Sequence, residues 1–467
     1  MTTKNNFYGK GGTTIKMIAS GSGSNSKQKD YKLCKDTYEG HGGYSDGKYL
    51  FRNKREEDDD FDSRKEQAYN LNLVGPIMDS VIEPVFTQDI IRTFDAPLFV
   101  PFVDDADGKG APLTDFTKAA IIASNVMGQA YIIIDSFPED EIPDTQKEQI
   151  AERKVPYGEL KTPLDVRSYK ADKFNKLESI TFFHGTDEGC EILRRYDDTY
   201  ITEYYLKDGI EVLRSKTEHF AGRVPVITVE YGEILPEAPI LSLAQTNRTL
   251  YNQLSELREL GRDSSFSLLV VPGNDPKVII EVGPKNTLFV PQNVTNMPQY
   301  ISPDQKVNAN SLAEIKFTVE SILSQGELKG ASVQTGNMSV KSGVALAFEF
   351  HGNTNALNKN ADRSEKVEVA MASLFGDYTV PFEYTVVYAR DFSPFSKTEL
   401  KAQWEFLSEA LAQNLSPEIN LEVKEQMLTL IKYNTSISSE RFEELKLTIK
   451  SAQSNDALEL VIEPGTD

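Results

Sequence analysis

Apolar positions in the middle of the chain fall into a helix–strand–helix succession between about residues 238 and 330. Leu243, Asn247, Leu250, Leu254 and Leu257 lie on one helical stripe, and Gly261 with Ser264 and Ser265 closes the run. SLLVV, KVIIEV and TLFVP then alternate with PGND, GPKN and PQN, which are turn signals between short strands. A second helix begins near Asn308 or Asn310, where Leu312, Ile315, Val319 and Ile322 return to one face. Each helix has ~20 or more residues and so spans on the order of 30 Å. The pattern predicts a two-helix stalk carrying a small β cap.

The same reading extends to both sides. Leu71, Val74, Met78, Val81 and Ile82 recur at helical spacing over about Ser63 to Glu83, with Gly75-Pro76 as a possible interruption. PLFVPFVDDADGKGAPL has the look of a strand and loop. Leu113–Gly128 reads as an amphipathic helix, and Gln129–Phe137 as a strand of buried type. A charged loop and short helix follow. From Leu164 to Val229 strand patterns repeat, and Lys207–Gly209 is a hairpin turn, which predicts an antiparallel sheet domain. Beyond the stalk, Gly326–Gly343 is a loop rich in Gly, Ser and Asn. A helix from about Val340 to Phe375 uses Val344, Phe348, Leu357, Val367, Met371 and Leu374, with a bend expected at Gly352-Asn353. Glu383–Phe392 reads as a strand returning to the sheet domain. Residues 396–450 carry three helical stripes: Leu400, Trp404, Leu407 and Leu411; Val423, Met427, Leu430 and Ile431; and Phe442, Leu445 and Ile449. Pro417 suits a helix start.

Composition changes the picture mainly at the N-terminus. Residues 1–48 contain GKGGTT, GSGSNSK and GHGGYSDG, the composition of a flexible segment, read as a mobile terminus that orders only on assembly or as an arm that contacts DNA or a neighbouring subunit. The first 35 residues hold seven lysines and one aspartate, while the whole chain of 467 residues carries a net charge of −21. That charge disfavours a protein that grips nucleic acid, but it does not argue against a smooth channel that DNA slides through, whose acidic wall avoids phosphate contacts. REEDDDFD, Arg55 to Asp62, is a solvated acidic run. No apolar stretch approaches the ~18 residues of a membrane span.

Candidate chemistry is sparse. Cys34 and Cys190 stand alone, and His41, His184, His219 and His351 share no metal-ligand spacing, so neither a disulfide framework nor a zinc site is expected. Asp105-x-Asp107-Gly108 has the start of a calcium loop without its later ligands, so a Gly/Asp turn is expected there. GSGSNSK lacks phosphate-loop spacing, and there is no GxSxG elbow or GxGxxG after a strand. No catalytic residue, cofactor or metal is expected, and the chain is read as a non-enzyme.

The succession of parts resembles the portal proteins of tailed bacteriophages. YIIIDSFP is followed by a β-rich stretch ending in GRVPVITVEYG. PILSLAQTNRTLYNQLSELRELGRDSSFSLLVVPG is similar to the helix entering the clip of such portals, and KSGVALAFEF to the start of the helix after their tunnel loop. The resemblance spans about residues 65–450. It implies an α+β, portal-like fold: a flexible arm at 1–65; an α/β wing at 66–240; stem helices at 241–265 and 306–326; a clip at 266–305; and a tunnel loop at 327–340. It further implies a long kinked helix at 341–375, a return strand of the wing at 376–395, a helical crown at 396–453 and an acidic tail at 454–467.

The resemblance also implies a role. Such chains form a homo-oligomeric ring, usually a dodecamer, at one capsid vertex of the virion, assembled in the host cytoplasm. They pass double-stranded DNA during packaging and ejection, and contact the major capsid protein, the large terminase subunit and a head-completion adaptor. The DNA-channel residues would be Lys329, Ser332, Gln334, Thr335, Asn337 and Lys341. The rival readings are another ring-forming connector or baseplate protein, and a phage hydrolase with an unrecognised site.

Overall fold

The chain enters its core far earlier than its N-terminal composition suggests. Strand β1 (Thr14–Met17) is followed by helix α1 (Ser26–Glu39), in which Tyr31, Leu33 and Cys34 are buried. This departs from the flexible arm expected there. The apolar stripe of α1 is thin and interleaved with Lys27, Lys29, Lys32 and Lys35, so its composition hides it. Buried Asp36 accepts hydrogen bonds from Lys32 Nζ (2.6 Å), the Gly43 amide (3.0 Å) and the Tyr49 hydroxyl (2.8 Å), which pins the next loop to α1. The acidic run becomes helix α2 (Asp58–Gln67), with Asp58, Asp59 and Asp60 in its first turn, where the helix dipole favours them. Helices α3 (Val74–Ser80) and α4 (Glu83–Phe86) replace the single helix expected over this stretch. The Asn72 side chain accepts from the Gly75 amide at 3.0 Å and so starts α3 afresh.

The structure, a computed structural model, describes residues 14–17, 26–54, 56–207, 209–219, 221–230, 234–264, 268–272, 287–290, 299–301, 305–328, 343–390, 392, 397–413, 416–434, 445 and 447–448. The fold is α+β. The chain divides into two compact units, Met1–Phe86 with Ile91–Val387, and Thr87–Ile90 with Tyr388–Asp467.

In the first unit, strand β2 (Ile91–Phe94) leads to helix α5 (Val100–Asp104). A strand was expected over 97–104. Pro97 and Pro101 instead sit in the first turns of two short helical segments, where a missing amide costs nothing. Helix α6 (Leu113–Met127) ends at Gly128, which adopts φ +87°. A Cβ there would lie 2.8 Å from Pro236 Cγ and 2.9 Å from the Glu237 carbonyl oxygen, so glycine is required for both conformation and space. Strand β3 (Gln129–Asp135) follows directly, buried from Gln129 to Ile134. After helix α7 (Gln146–Ala151), strand β4 (Tyr157–Lys161) pairs antiparallel with β3.

Strands β5 (Val166–Ala171), β6 (Leu177–Asp187), β7 (Cys190–Tyr196), β8 (Tyr200–Lys207) and β9 (Ile210–Glu218) form an antiparallel meander, with β1 added beside β5. The hairpin expected at Lys207–Gly209 forms: Lys207 pairs with Ile210, and Gly209 adopts φ +79°. Strand β10 (Val226–Glu230) pairs with the other edge of β3. Tyr131 of β3 meets Phe182 of β6 edge-on at 5.3 Å, so the two sheets share one core.

Helix α8 (Leu241–Ser264), strands β11 (Leu268–Pro272), β12 (Thr287–Val290) and β13 (Gln299–Ile301), and helix α9 (Gln305–Leu328) occupy the predicted stalk-and-cap region. In the cap, β11 is central, parallel to β12 and antiparallel to β13. Helix α10 (Gly343–Tyr378) is continuous through Gly352 and Asn353. Strand β14 (Tyr384–Val387) was expected to return to the large sheet. It pairs instead with β2, antiparallel, as a separate two-stranded sheet. A bidentate ion pair explains that choice: Arg92 of β2 reaches the fully buried Glu368 of α10, to which Tyr384 of β14 also donates.

In the second unit, helices α11 (Lys397–Ala412) and α12 (Pro417–Asn434) pack together through Leu407, Val423 and Leu428. Pro417 opens α12, and Ser416 Oγ accepts from the Ile419 amide at 3.2 Å as its cap. Trp404, expected on the α11 stripe, is 40% exposed. Phe442, Ile449 and the acidic tail lie outside the described residues.

Candidate assembly surfaces

Helices α8 and α9 run antiparallel, and their far ends are joined through the three-stranded cap. At the near end Gln325 ties them together: its Oε1 accepts from Ser242 Oγ at 2.8 Å, and its Nε2 donates to Thr246 Oγ1 at 3.2 Å. Gly326 of α9 lies so close to α3 that a Cβ would approach Ile77 Cγ2 to 3.0 Å.

The predicted α8 stripe is graded. Leu243, Asn247 and Leu250 are buried, whereas Leu254 and Leu257 are partly buried against the core. What covers it is the segment that composition assigned to a flexible arm. Tyr44 meets Tyr49 and Tyr251 edge-on, with ring centroids 4.9 and 5.1 Å apart. Asn252 accepts from the Phe51 amide at 2.7 Å and donates to the Tyr49 and Arg248 carbonyls. Asn247 donates to Asn70 Oδ1 at 3.0 Å, and Tyr251 to the Tyr44 carbonyl at 2.8 Å. Arg64, 2% exposed, forks onto Glu56 at 2.7 and 2.8 Å and also donates to the Phe51 carbonyl. The four tyrosines at 31, 38, 44 and 49 were the one sign of this clasp in the sequence.

On α9, Ile315, Thr318 and Ile322 face inward. Leu312, expected on that face, is 47% exposed, and Phe317 is 70% exposed. Strand β9 is an exposed edge of the six-stranded sheet bearing Ile210, Val212 and Leu213.

The channel residues named from the sequence, Lys329, Ser332, Gln334, Thr335, Asn337 and Lys341, lie outside the described residues. Their anchors are described: α9 ends at Leu328, α10 begins at Gly343, and the two helices touch.

The six-stranded and three-stranded sheets bring together charged groups that no sequence spacing revealed. Arg194 of β7 donates to Glu203 at 3.0 Å and lies 3.5 Å from Asp135 of β3. Burial raises the Asp135 carboxyl above the usual range, outweighing the Ser136 amide and Arg194. Burial likewise pushes the neighbouring Tyr157 phenol up to about 12. His184 lies 3.5 Å from Glu159, yet burial and the Arg194 guanidinium hold its imidazole below the ordinary value. The cluster is an ion-pair network that locks two sheets together. In the Asp105–Asp107 loop, the Gly110 amide binds Asp105, and the Lys109 and Ala111 amides bind Asp107. Burial would raise Asp107, but those amides outweigh it and lower the carboxyl. The carboxylates cap a turn, as expected. Among the described residues there is no group of three or more metal-ligating side chains, and no helix is long and apolar enough to cross a membrane.

No family model and no curated protein matches this chain. Solved structures are similar to it, three of them from gene transfer agent particles. One is a chain in the neck of a native gene transfer agent particle computed with C12 symmetry, at 10% identity, covering 72% of this chain and 86% of that one, with a TM-score of 0.35. Another is a chain in the virion of the native particle, at 10% identity, 72% and 84% coverage and a TM-score of 0.34. The third is from the neck of the empty particle computed with C6 symmetry, at 11% identity, 72% and 85% coverage and a TM-score of 0.32. Similarity at this level does not define the role of this chain.

Proposed function

We propose that this chain is a portal-type subunit that closes into a ring at one vertex of a phage-like capsid. The observation that carries this reading is the α8–cap–α9 hairpin. A three-stranded sheet is at the lower limit for independent stability, and α9 leaves Leu312 and Phe317 in solvent. Neighbours around a closed rotation would cover both, through heterologous contacts. In this reading α8 and α9 are the stem, the cap is the clip that docks the terminase and later the adaptor, and the first unit's sheets are the wing that meets the major capsid protein. In this reading the tunnel loop expected at 327–340, whose first residues Glu327 and Leu328 complete α9, carries Lys329, Ser332, Gln334, Thr335 and Asn337, and with the flanking Lys341 meets double-stranded DNA. Twelve copies surround it, and no catalytic step is assigned to the chain. Negative-stain electron microscopy of the purified protein tests the reading: rings with a central hole are expected. A compact monomer at micromolar concentration and above would refute it and favour an enzyme.

A further inference from the structure

The hairpin between β5 and β6 ends in a rigid, unusual tip. Asp172 Oδ1 accepts from the Phe174 and Lys176 amides, both at 2.8 Å, and the Asp172 amide donates to the Lys176 carbonyl at 2.9 Å. Asn175 takes φ +64°, a conformation that asparagine tolerates at a turn. The turn is held by its own bonds, and it presents Phe174 with 77% of its surface in solvent. Lys173 and Lys176 are exposed on either side, and Lys173 Nζ lies 4.8 Å from the Phe174 ring centre. A lone exposed phenylalanine needs no explanation. One fixed on a preorganised tip between two cations has the form of an anchor.

The same unit carries a cavity of complementary character. It has a volume of about 160 Å³ and is lined by Leu98, Phe375, Val380, Pro381 and Phe382, with Asp95 also in its wall. Behind it the Phe99, Phe375 and Phe382 rings pack with centroids 5.0 to 6.4 Å apart, so the apolar lining is firmly supported. Val380 is 64% exposed, and Phe174 of the same chain does not cover it. Exposed carboxylates stand in the lining or within two residues of it, at Asp95, Asp144, Glu148, Asp377 and Glu383, against the cation Lys147, with Asp377 paired to Arg223.

We propose that Phe174 of one copy seats in the Leu98–Phe375–Phe382 cavity of the next copy, with Lys173 and Lys176 facing Asp95 and its neighbouring carboxylates. The inference rests on the ring reading, because knob and cavity lie at different places on one chain. Such a pairing is head-to-tail, and it closes only around a rotation axis. The occupant is a second copy because this chain holds both halves, matched in shape and in charge sign. The net charge of −21 opposes the alternative of anionic membrane for the same lysines.

The test uses the full chain. In a Cys190→Ser background, Phe174→Cys with Val380→Cys is oxidised and run without reductant. Disulfide-linked multimers are expected, whereas neither single variant forms them, since the bond needs Cα atoms ~4.4–6.8 Å apart. Separately, Lys173→Glu with Lys176→Glu should raise the concentration for half-assembly at least about tenfold. Adding Asp95→Lys to the same chain should recover most of that loss. Wild-type rings with no cross-link and no effect of the charge changes would overturn this contact and leave the ring reading standing. A monomeric wild type would overturn both. Pelleting of wild type with phosphatidylserine vesicles, lost in the lysine variant while assembly is unchanged, would overturn the contact in favour of a membrane.

Discussion

Removing Arg92 should expose how much of the first unit depends on one buried charge. Glu368 sits in the middle of α10 with none of its side chain in solvent, and Arg92 is 14% exposed. Two charge-assisted bonds join them, from Arg92 Nε at 2.9 Å and from Nη2 at 2.7 Å, and Tyr384 donates to the same carboxylate at 2.6 Å. Arg92 Nη2 also donates to Thr114 Oγ1 at 3.0 Å, so four elements meet at this point. Arg92→Met keeps the length of the stem but leaves a carboxylate in a dry site. Breaking a buried pair in this way costs about 3–5 kcal/mol, well above the net worth of an intact pair. The assay is urea unfolding at pH 8, read as the shift in midpoint at constant slope. Arg92→Met with Glu368→Leu should recover most of the loss, because no charge is stranded. A single-variant cost below about 1 kcal/mol, or a double variant as weak as the single, would refute the reasoning.

His184 gives a second pH dependence. Its folded pKa lies below the usual value of about 6.5, so stability is complete above that value and declines as pH drops from it toward the folded pKa. His184→Gln should flatten the wild-type melting curve over that window. Leu254→Asp puts a charge where α8 packs on the core, and should cost several kcal/mol and abolish assembly; normal rings would remove the stem assignment. Deletion of residues 268–300 should leave a soluble chain that no longer binds terminase in a pull-down, and retained binding would place the docking site elsewhere. Gln334→Cys carrying a bulky maleimide should stall DNA packaging while rings still form; unchanged packaging by fully labelled rings would move residues 327–340 away from the DNA.

Elements with a strong local rhythm were legible from the sequence. The stripe of α8, the α6–Gly128–β3 junction, the β5–β9 meander and the Pro417 start of α12 each follow from spacing or turn chemistry within a few residues. The α+β class follows from them. Other features needed the tertiary structure because their partners are distant in the chain. Helix α1 looked flexible by composition, but its Thr37 and Asp36 bond Tyr44 and Tyr49, which Tyr251 and Asn252 of α8 hold from about 200 positions away. Residues 97–104 are apolar enough for a strand, but two prolines place them in helical turns against Phe375. Strand β14 joins β2 and not the larger sheet because Arg92 and Tyr384 converge on Glu368. The Asp135–Arg194–Glu203 network and the cavity beside Phe382 are likewise assembled from separate elements. Periodicity records which face of an element is apolar. Which distant segment covers that face is decided by burial and charge pairing, and these exist only once the chain has folded.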